Sequence, residues 1–195
     1  MGIIKSYFVG SVFYSMLGAA IAFCVCKIRK IKDDKSIIRI TVFFAYLFGL
    51  LSITVFPRID VGILSDSGKF FVDFRFNSLS KSSFNAIPFQ SIIYYLKELF
   101  LGDKDSRMVA RLNVLGNVIL FIPMGLILGM IIHKKKIGLM ALITVITSLS
   151  IEIIQFFIGR SFDIDDIILN VVGAIIGYLV CSLINQIKKR EHKTT

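Results

Sequence analysis

Five long apolar runs, separated by polar connections, dominate the pattern of this 195-residue chain. A helix needs about 20 predominantly apolar residues to cross the hydrocarbon core of a bilayer, and each run reaches that length. The predicted spans are residues 7–26, 37–56, 112–132, 137–158 and 167–187. The pattern therefore predicts an all-α polytopic membrane protein with about five transmembrane helices, and we expect residues 1–195 to form a single membrane domain.

The connection between the second and third spans, residues 57–111, has elements of its own. The alternating sequence VDFRF at 72–76 predicts a short strand. The sequence QSIIYYLKELFL at 90–101 predicts an amphipathic helix, and its two tyrosines suit the level of the lipid headgroups. This helix is expected either to lie in the membrane interface or to pack on the bundle as a partner helix, and the pattern fits both positions equally.

Composition and charge define the class of protein and its orientation. Mean hydropathy is +0.79 and 18% of residues are charged, against about 25% in soluble domains. The net charge of +10 is concentrated at the ends of apolar runs, in residues 27–39, 133–136 and 188–195, which hold thirteen of the 23 Lys and Arg. These segments fall on one side of a five-span topology, and the positive-inside rule assigns that side to the cytoplasm.

This charge distribution predicts a multi-pass protein of the plasma membrane with its N-terminus outside and its C-terminus in the cytoplasm. The connection 57–111 then lies outside the cell and carries the predicted interfacial helix near 90–101. A nucleic-acid partner is excluded as an interpretation of the positive charge, because the basic residues flank spans and accompany no nucleic-acid-binding motif.

Polar side chains inside the last three spans mark the candidate site. An ionisable group costs about 2.5–3.5 kcal/mol at the centre of a membrane helix, so such groups are retained where they are paired or used. Glu152 and Gln155 are three residues apart, Asp166 and Asn170 are four apart, and each pair shares a helix face. Because a short turn joins these two spans, we expect the pairs to converge with Asn117 near the outer boundary.

The acidic residues allow more than one interpretation. Asp163, Asp165 and Asp166 stand where carboxylates cap a helix N-terminus, but they also suit a hard cation such as Mg²⁺ or Ca²⁺ as oxygen ligands. Zinc is disfavoured because His and Cys ligands are absent there. Glu152 lies too deep for a cap. It is expected either to be hydrogen-bonded to Asn117 or Asn170 or to act as a general base or ligand.

Three glycines and a proline are predicted to have structural roles. Gly173 and Gly177 form a small-xxx-small face for close helix packing. Pro123, followed by Gly125, is expected to break or kink the third span within the membrane and to free backbone carbonyls.

Five motifs occur in a characteristic order along the chain. They are TVFP ending at Pro57, NAIPF at 85–89, RLNVLGNVILFIPMG at 111–125, SLSIEIIQ at 148–155 and FDIDDIILNVVGAIIG at 162–177. In this order they resemble the VanZ-like family of bacterial membrane proteins, named after a protein associated with resistance to glycopeptides (teicoplanin). The resemblance covers about residues 45–185.

The resemblance implies a multi-spanning protein acting at the cell envelope, without a known reaction. The positions that match the family's polar and small-residue signature are Asn85, Pro88, Asn117, Pro123, Gly125, Glu152, Gln155, Asp163, Asp165, Asp166, Asn170, Gly173 and Gly177.

Three functions fit these residues. In the first, the protein lowers sensitivity to lipoglycopeptides by binding an envelope lipid, a lipid-linked cell-wall precursor or the acylated drug from the outer leaflet. The expected ligand-binding residues are Asn85, Arg111, Asn117, Gln155, Asp163 and Asn170. In the second, Glu152 or Asp166 acts as general base of an enzyme on a phosphorylated lipid, with a divalent cation. In the third, the polar residues only fix helix packing in a scaffold of envelope assembly.

Overall fold

The computed structural model describes residues 2–63, 70–75, 83–132 and 136–194. In chain order the elements are α1 (Gly2–Ile28), α2 (Asp34–Thr54), β1 (Arg58–Ile63), β2 (Phe70–Arg75), β3 (Phe84–Asn85), α3 (Gln90–Leu101), α4 (Lys104–Ile131), α5 (Ile137–Phe157), β4 (Phe162–Asp163) and α6 (Ile164–Thr194). Within these residues, α1, α2, α4, α5 and α6 are each long and apolar enough to cross a membrane. The prediction of an all-α, multi-pass membrane protein is confirmed.

The boundaries differ from the predictions in informative ways. Helix α4 begins eight residues before the predicted span, because Asp103 caps it: the Asp103 carboxylate accepts the backbone N–H of Ser106 at 2.8 Å. The predicted strand at 72–76 is present as far as Arg75, and Phe76 lies outside the described residues. Most of the basic connection predicted at 133–136 also lies outside them.

The chain forms two compact units, Met1–Lys81 with Phe157–Gly159, and Ser82–Phe156 with Arg160–Thr195. The first unit contains the α1–α2 pair and an antiparallel ladder between β1 and β2, in which Asp60 pairs with Asp73. Close contact of α1 with α2 requires Gly18, where a Cβ would lie 2.6 Å from the carbonyl oxygen of Phe44.

Helix α2 is capped at its first turn by Asp33. The carboxylate of Asp33 accepts the hydroxyl of Ser36 at 2.5 Å and its backbone N–H at 3.0 Å. These hydrogen bonds to Ser36 lower the pKa of Asp33 below its ordinary value, because they stabilise the charged form. The polar connection between the first two spans therefore ends in a well-defined helix start.

The second unit is built on a close contact between α4 and α6. A Cβ at Gly173 would overlap the carbonyl oxygen of Val118, and a Cβ at Gly177 would overlap that of Ile122. Each step of four residues along one helix matches a step of four along the other, so the two helices run parallel. The glycines predicted as packing positions thus lie directly against α4 and allow the two backbones to touch.

Helix α4 continues through Pro123, so this proline does not break the helix, and the kink stays a prediction. Proline lacks an N–H and leaves one carbonyl four residues earlier without its helical donor, a loss that neighbouring helices and local adjustments make tolerable in membrane helices. Gly125, two residues after Pro123, is a contact position: a Cβ there would overlap the carbonyl oxygen of Ala174.

Helix α3 packs against α4 and α6. The half-buried residues are Ser91, Ile92, Tyr95, Glu98 and Leu99, whose spacing places them on one face. The inner face of α3 therefore packs on the bundle, as one of the two alternatives expected. Its predicted location in the membrane interface stays a prediction.

Candidate functional site

A polar stripe runs along the buried face of α5. Thr144, Ser148, Glu152 and Gln155 are spaced four, four and three residues apart, and all four are buried. Within a membrane span such groups need partners inside the protein. The Oε2 atom of Glu152 accepts the backbone N–H of Asp163 at 3.0 Å. Glu152 therefore binds the turn before α6, and not Asn117 or Asn170 as the structural alternative expected.

A two-residue parallel bridge brings the NAIPF and FDIDD motifs together. Strand β3 pairs with β4 so that Phe84 lies opposite Phe162 and Asn85 lies opposite Asp163. The two phenylalanine rings stack with centroids 4.9 Å apart. The Nδ2 atom of Asn85 donates to Oδ1 of Asp163 at 3.1 Å. Residues 78 positions apart thus meet directly above the first turn of α6.

Asp163 both caps a helix and links separate elements. Its Oδ1 accepts the backbone N–H of Asp165 at 3.0 Å, which is the contact of an N-cap residue in the first turn of α6. The same oxygen accepts Asn85, while the backbone N–H of Asp163 donates to Glu152. Asp163 therefore caps α6, as one alternative expected, and it also connects α5 to β3.

Asp165 caps the N-terminus of a different helix. Its side chain is fully buried, and its carboxylate accepts the backbone N–H groups of Phe89, Ser91 and Ile92 at 2.5, 2.7 and 3.0 Å. Phe89 itself has a left-handed φ of 67° and supplies no side-chain cap for α3. A carboxylate at this position satisfies orphan N–H groups and the positive end of the helix dipole. Asp165 therefore fixes α3 to the start of α6.

Two further side-chain pairs join α6 to its neighbours. The Nδ2 atom of Asn117 on α4 donates to Oδ1 of Asp166 at 2.6 Å. One turn further along α6, Nδ2 of Asn170 donates to the hydroxyl of Ser148 on α5 at 2.7 Å. The Oδ1 atom of Asn170 is buried and has no hydrogen-bond partner among the described residues. The polar residues that were expected to converge therefore meet as separate hydrogen-bonded pairs along α6.

The electrostatics of the site are dominated by carboxylates. Asp163 and Asp166 are close enough to Glu152 to act on its charge, and Arg160 is the cation within reach of both Glu152 and Asp166 among the described residues. On α3, burial raises the pKa of the Tyr95 hydroxyl, and the negative charges of Asp166 and Asp163 raise it further. Tyr95 therefore presents a protonated phenol on the α3 side of these carboxylates.

An open groove adjoins this network. It encloses about 470 Å³ and is lined by Phe84, Asn85, Ala86, Ile87, Gln90, Ser91 and Tyr94. Both amide hydrogens of Asn85 are used, by Ser91 Oγ at 2.9 Å and by Asp163, and its Oδ1 accepts the N–H of Ile87 at 3.1 Å. Asn85 therefore shapes the groove. Within the described part of the chain, the hydroxyl hydrogen of Ser91 and the side-chain amide of Gln90 have no hydrogen-bond partner, so both suit a polar ligand.

The structure does not bring every predicted residue into the network. Arg111 is exposed on α4, and its side chain makes no hydrogen bond or ion pair within the described part of the chain. Gln155 is buried at the end of the α5 stripe, and its backbone carbonyl accepts the backbone N–H of Arg160 at 2.9 Å. Both stay predictions as ligand-binding residues.

The three aspartates predicted as cation ligands have separate hydrogen-bond partners, and the cation site stays a prediction. Among the described residues, no three Asp, Glu, His or Cys side chains are arranged to hold a metal ion. Asp165 and Asp166 are adjacent on α6, so their side chains diverge by about 100° around the helix: Asp165 meets the α3 backbone and Asp166 meets Asn117. Asp163 serves β3 and the cap. The three carboxylates therefore have separate partners.

Three residues at the site are not identified by the sequence pattern. Ser148 precedes Glu152 by four residues, a signal that its helical face provides. The tyrosine pair predicts a position at the level of the headgroups for Tyr95, whereas its spacing places it on the inner face of α3. Ser91 carries no local signal, because its backbone and side-chain partners are remote in sequence.

Comparison with known proteins agrees with the arrangement of motifs. The family described as VanZ/LLP1 matches residues 43–185. Protein VanZ of Enterococcus faecium is 40% identical over an alignment of 78 positions, which covers 38% of this chain and 47% of the relative. The match therefore spans about half of that protein. No solved structure matches the chain. Because the family match covers most of the chain, including every residue of the hydrogen-bonded network, this multi-pass membrane protein belongs to the VanZ/LLP1 family.

Proposed function

We propose that this VanZ-like protein lowers sensitivity to lipoglycopeptide (teicoplanin-type) antibiotics by binding an envelope lipid or the acylated drug at the outer leaflet. The association with glycopeptide resistance comes from the family to which the chain belongs. The single observation that carries the binding proposal is the open groove beside the carboxylate network.

The groove suits an amphiphile in size and in lining. Its volume of about 470 Å³ lies within the roughly 300–1,000 Å³ of small-molecule sites. Phe84, Ile87 and Tyr94 supply apolar surface for an acyl chain, and Gln90 and Ser91 supply hydrogen-bonding groups for a polar head. A ligand with both an acyl chain and a polar head would use both parts of this lining.

The network beneath the groove would hold it in shape. Asn85 joins a groove-lining segment to Asp163, and Asp165 fixes the first turn of α3, which supplies Gln90, Ser91 and Tyr94. With the orientation that the basic flanks predict, this end of the second unit faces the outside of the cell. Drug or lipid would then reach the groove without entering the cytoplasm.

The proposal is tested with Tyr94→Ala, which removes part of the apolar wall, and with Ile93→Ala as the matched control. Ile93 is exposed on the same helix and does not line the groove. Strains with equal protein levels are compared for teicoplanin sensitivity, and the purified proteins for binding of fluorescent teicoplanin. We expect Tyr94→Ala to lose protection or binding and Ile93→Ala to retain both. Full protection with Tyr94→Ala would reject the groove as the site.

A second function is favoured by the charge interactions of Arg160 with both Glu152 and Asp166. A carboxylate that activates water beside a guanidinium that binds phosphate is one arrangement for hydrolysing a phosphorylated lipid. Mass spectrometry of envelope lipids and cell-wall precursors separates the two functions. A lipid that changes with the wild-type protein and not with Glu152→Gln supports the enzyme. An unchanged lipid profile, with drug sensitivity still dependent on Glu152, supports binding.

A further inference from the structure

Helix α3 has a second face that is apolar and exposed. Opposite the half-buried face lie Ile93 at 64%, Phe100 at 80% and Leu101 at 76% exposure. Lys97 shares this outer face and is also exposed. A helix packed only on its own protein would carry polar residues there, so the composition of this face indicates a second contact.

The lipid phase is the environment continuous with this surface. Only Gly102 and Asp103 separate the exposed end of α3 from α4, which belongs to a membrane span. Along α4 the exposed side chains include Met108 and Leu112. Because lipid is the natural neighbour of the apolar surface of a span, the same neighbour suits the adjoining face of α3.

Lys97, the polar residue of the outer face, limits how deeply α3 can lie in the bilayer. Lys97 has a long apolar stem, which lets its ammonium reach the headgroups while the neighbouring side chains are in hydrocarbon. Tyr94, which stands beside this face, has the amphipathic ring typical of the headgroup level. Such a helix lies in the interface with its apolar side chains about 5–10 Å deep.

We infer that the outer face of α3 is embedded in the bilayer at the boundary of hydrocarbon and headgroups, so that the groove opens toward the lipid phase. Tyr94 is exposed beside this face and also lines the groove, which places the mouth of the groove at the lipid boundary. An acyl chain could therefore enter from the side, without passing through water. The membrane contact itself does not depend on the proposed drug or lipid.

Because the chain contains no tryptophan, one introduced tryptophan reports its own surroundings. Phe100→Trp is placed on the outer face, and Ile93→Trp on the same face provides a second reporter. The control is Lys32→Trp, an exposed position in the polar connection between the spans of α1 and α2. The full-length variants are reconstituted into phosphatidylcholine vesicles with bromine in either the upper or the terminal part of the acyl chains. Fluorescence is compared with that in unbrominated vesicles.

Because side chains of an interfacial helix lie about 5–10 Å deep, we expect bromine in the upper acyl chain to quench the Phe100→Trp and Ile93→Trp proteins more strongly than terminal bromine does. Neither kind of bromine should quench Lys32→Trp to a comparable extent. Quenching of all three positions alike would overturn the inference, as would outer-face fluorescence that no bromine lowers. The latter result, with blue-shifted emission, would mean that protein covers this face. Neither result would affect the drug-binding comparison of Tyr94→Ala and Ile93→Ala.

Discussion

The buried carboxylate of Asp165 accepts the backbone N–H of Ser91 at 2.7 Å across 74 residues of sequence. An acid that looks like a local cap for α6 thus caps α3, whose own N-cap residue, Phe89, cannot do so with its side chain. Asp165 therefore holds the groove-lining start of α3 in place, and it does so from the same turn that carries Asp163 and Asp166.

Replacing Asp165 with alanine is expected to release the first turn of α3. Three backbone donors would lose their acceptor, and a buried donor without a partner costs about 1–3 kcal/mol. The free energy of unfolding in detergent should fall by at least this amount, and amide exchange at Ser91 and Ile92 should accelerate. Asp105→Ala, which removes an exposed acid from the first turn of α4, is the control and should leave both measurements near wild type.

Amide substitutions separate the charge of the site from its hydrogen bonds. Glutamine at position 152 can still accept the N–H of Asp163, and asparagine at position 166 can still accept the amide of Asn117. We therefore expect Glu152→Gln and Asp166→Asn to fold at wild-type levels and to lose protection against the drug. Glu152→Ala should also lose stability, by roughly 1–3 kcal/mol.

Protein abundance and drug sensitivity are measured in the same strains. Normal protection with both amide variants would eliminate the carboxylates as functional groups. Reduced abundance of both variants, with protection in proportion to the remaining protein, would favour the scaffold interpretation.

The sequence predicted those features that depend on local spacing. Hydropathy located five spans, and the four-residue spacing of Gly173 and Gly177 anticipated a close helix contact because both signals are periodic within one element. It could not predict that Asp165 caps α3, since a carboxylate before a helix satisfies the local capping rule equally well. Nor could the sequence decide between a break and a kink at Pro123, because that outcome depends on how neighbouring helices satisfy the backbone groups that a proline frees.

The Tyr95 hydroxyl should make stability sensitive to alkaline pH. Its pKa is raised in the folded protein by burial and by the charges of Asp166 and Asp163. A raised folded-state pKa contributes stability that is complete below the unfolded value of about 10 and is lost as pH rises through the folded value. Wild type should therefore lose more thermal stability between neutral pH and about pH 11 than Tyr95→Phe does.

Other groups titrate in the same range, so the informative quantity is the difference between matched proteins. Tyr94→Phe alters the neighbouring exposed hydroxyl and should follow wild type in thermal melts across the pH series. Identical alkaline losses in wild type and Tyr95→Phe would contradict the electrostatic contact between α3 and the carboxylates.

Alanine at Gly125 tests the contact that holds α4 beside α6. The added methyl group would overlap the carbonyl oxygen of Ala174, a backbone atom that cannot rotate away. Overpacking of this kind typically costs about 1–3 kcal/mol, so the thermal midpoint in detergent should fall. Gly116→Ala on the same helix is the matched control, because a Cβ there meets no atom within 4 Å. Alanine is a better helix former than glycine, so the control should be neutral or slightly stabilised. Equal melting of the two variants would show that α4 and α6 do not pack through Gly125, and the pairing of Asn117 with Asp166 would then lack its structural basis.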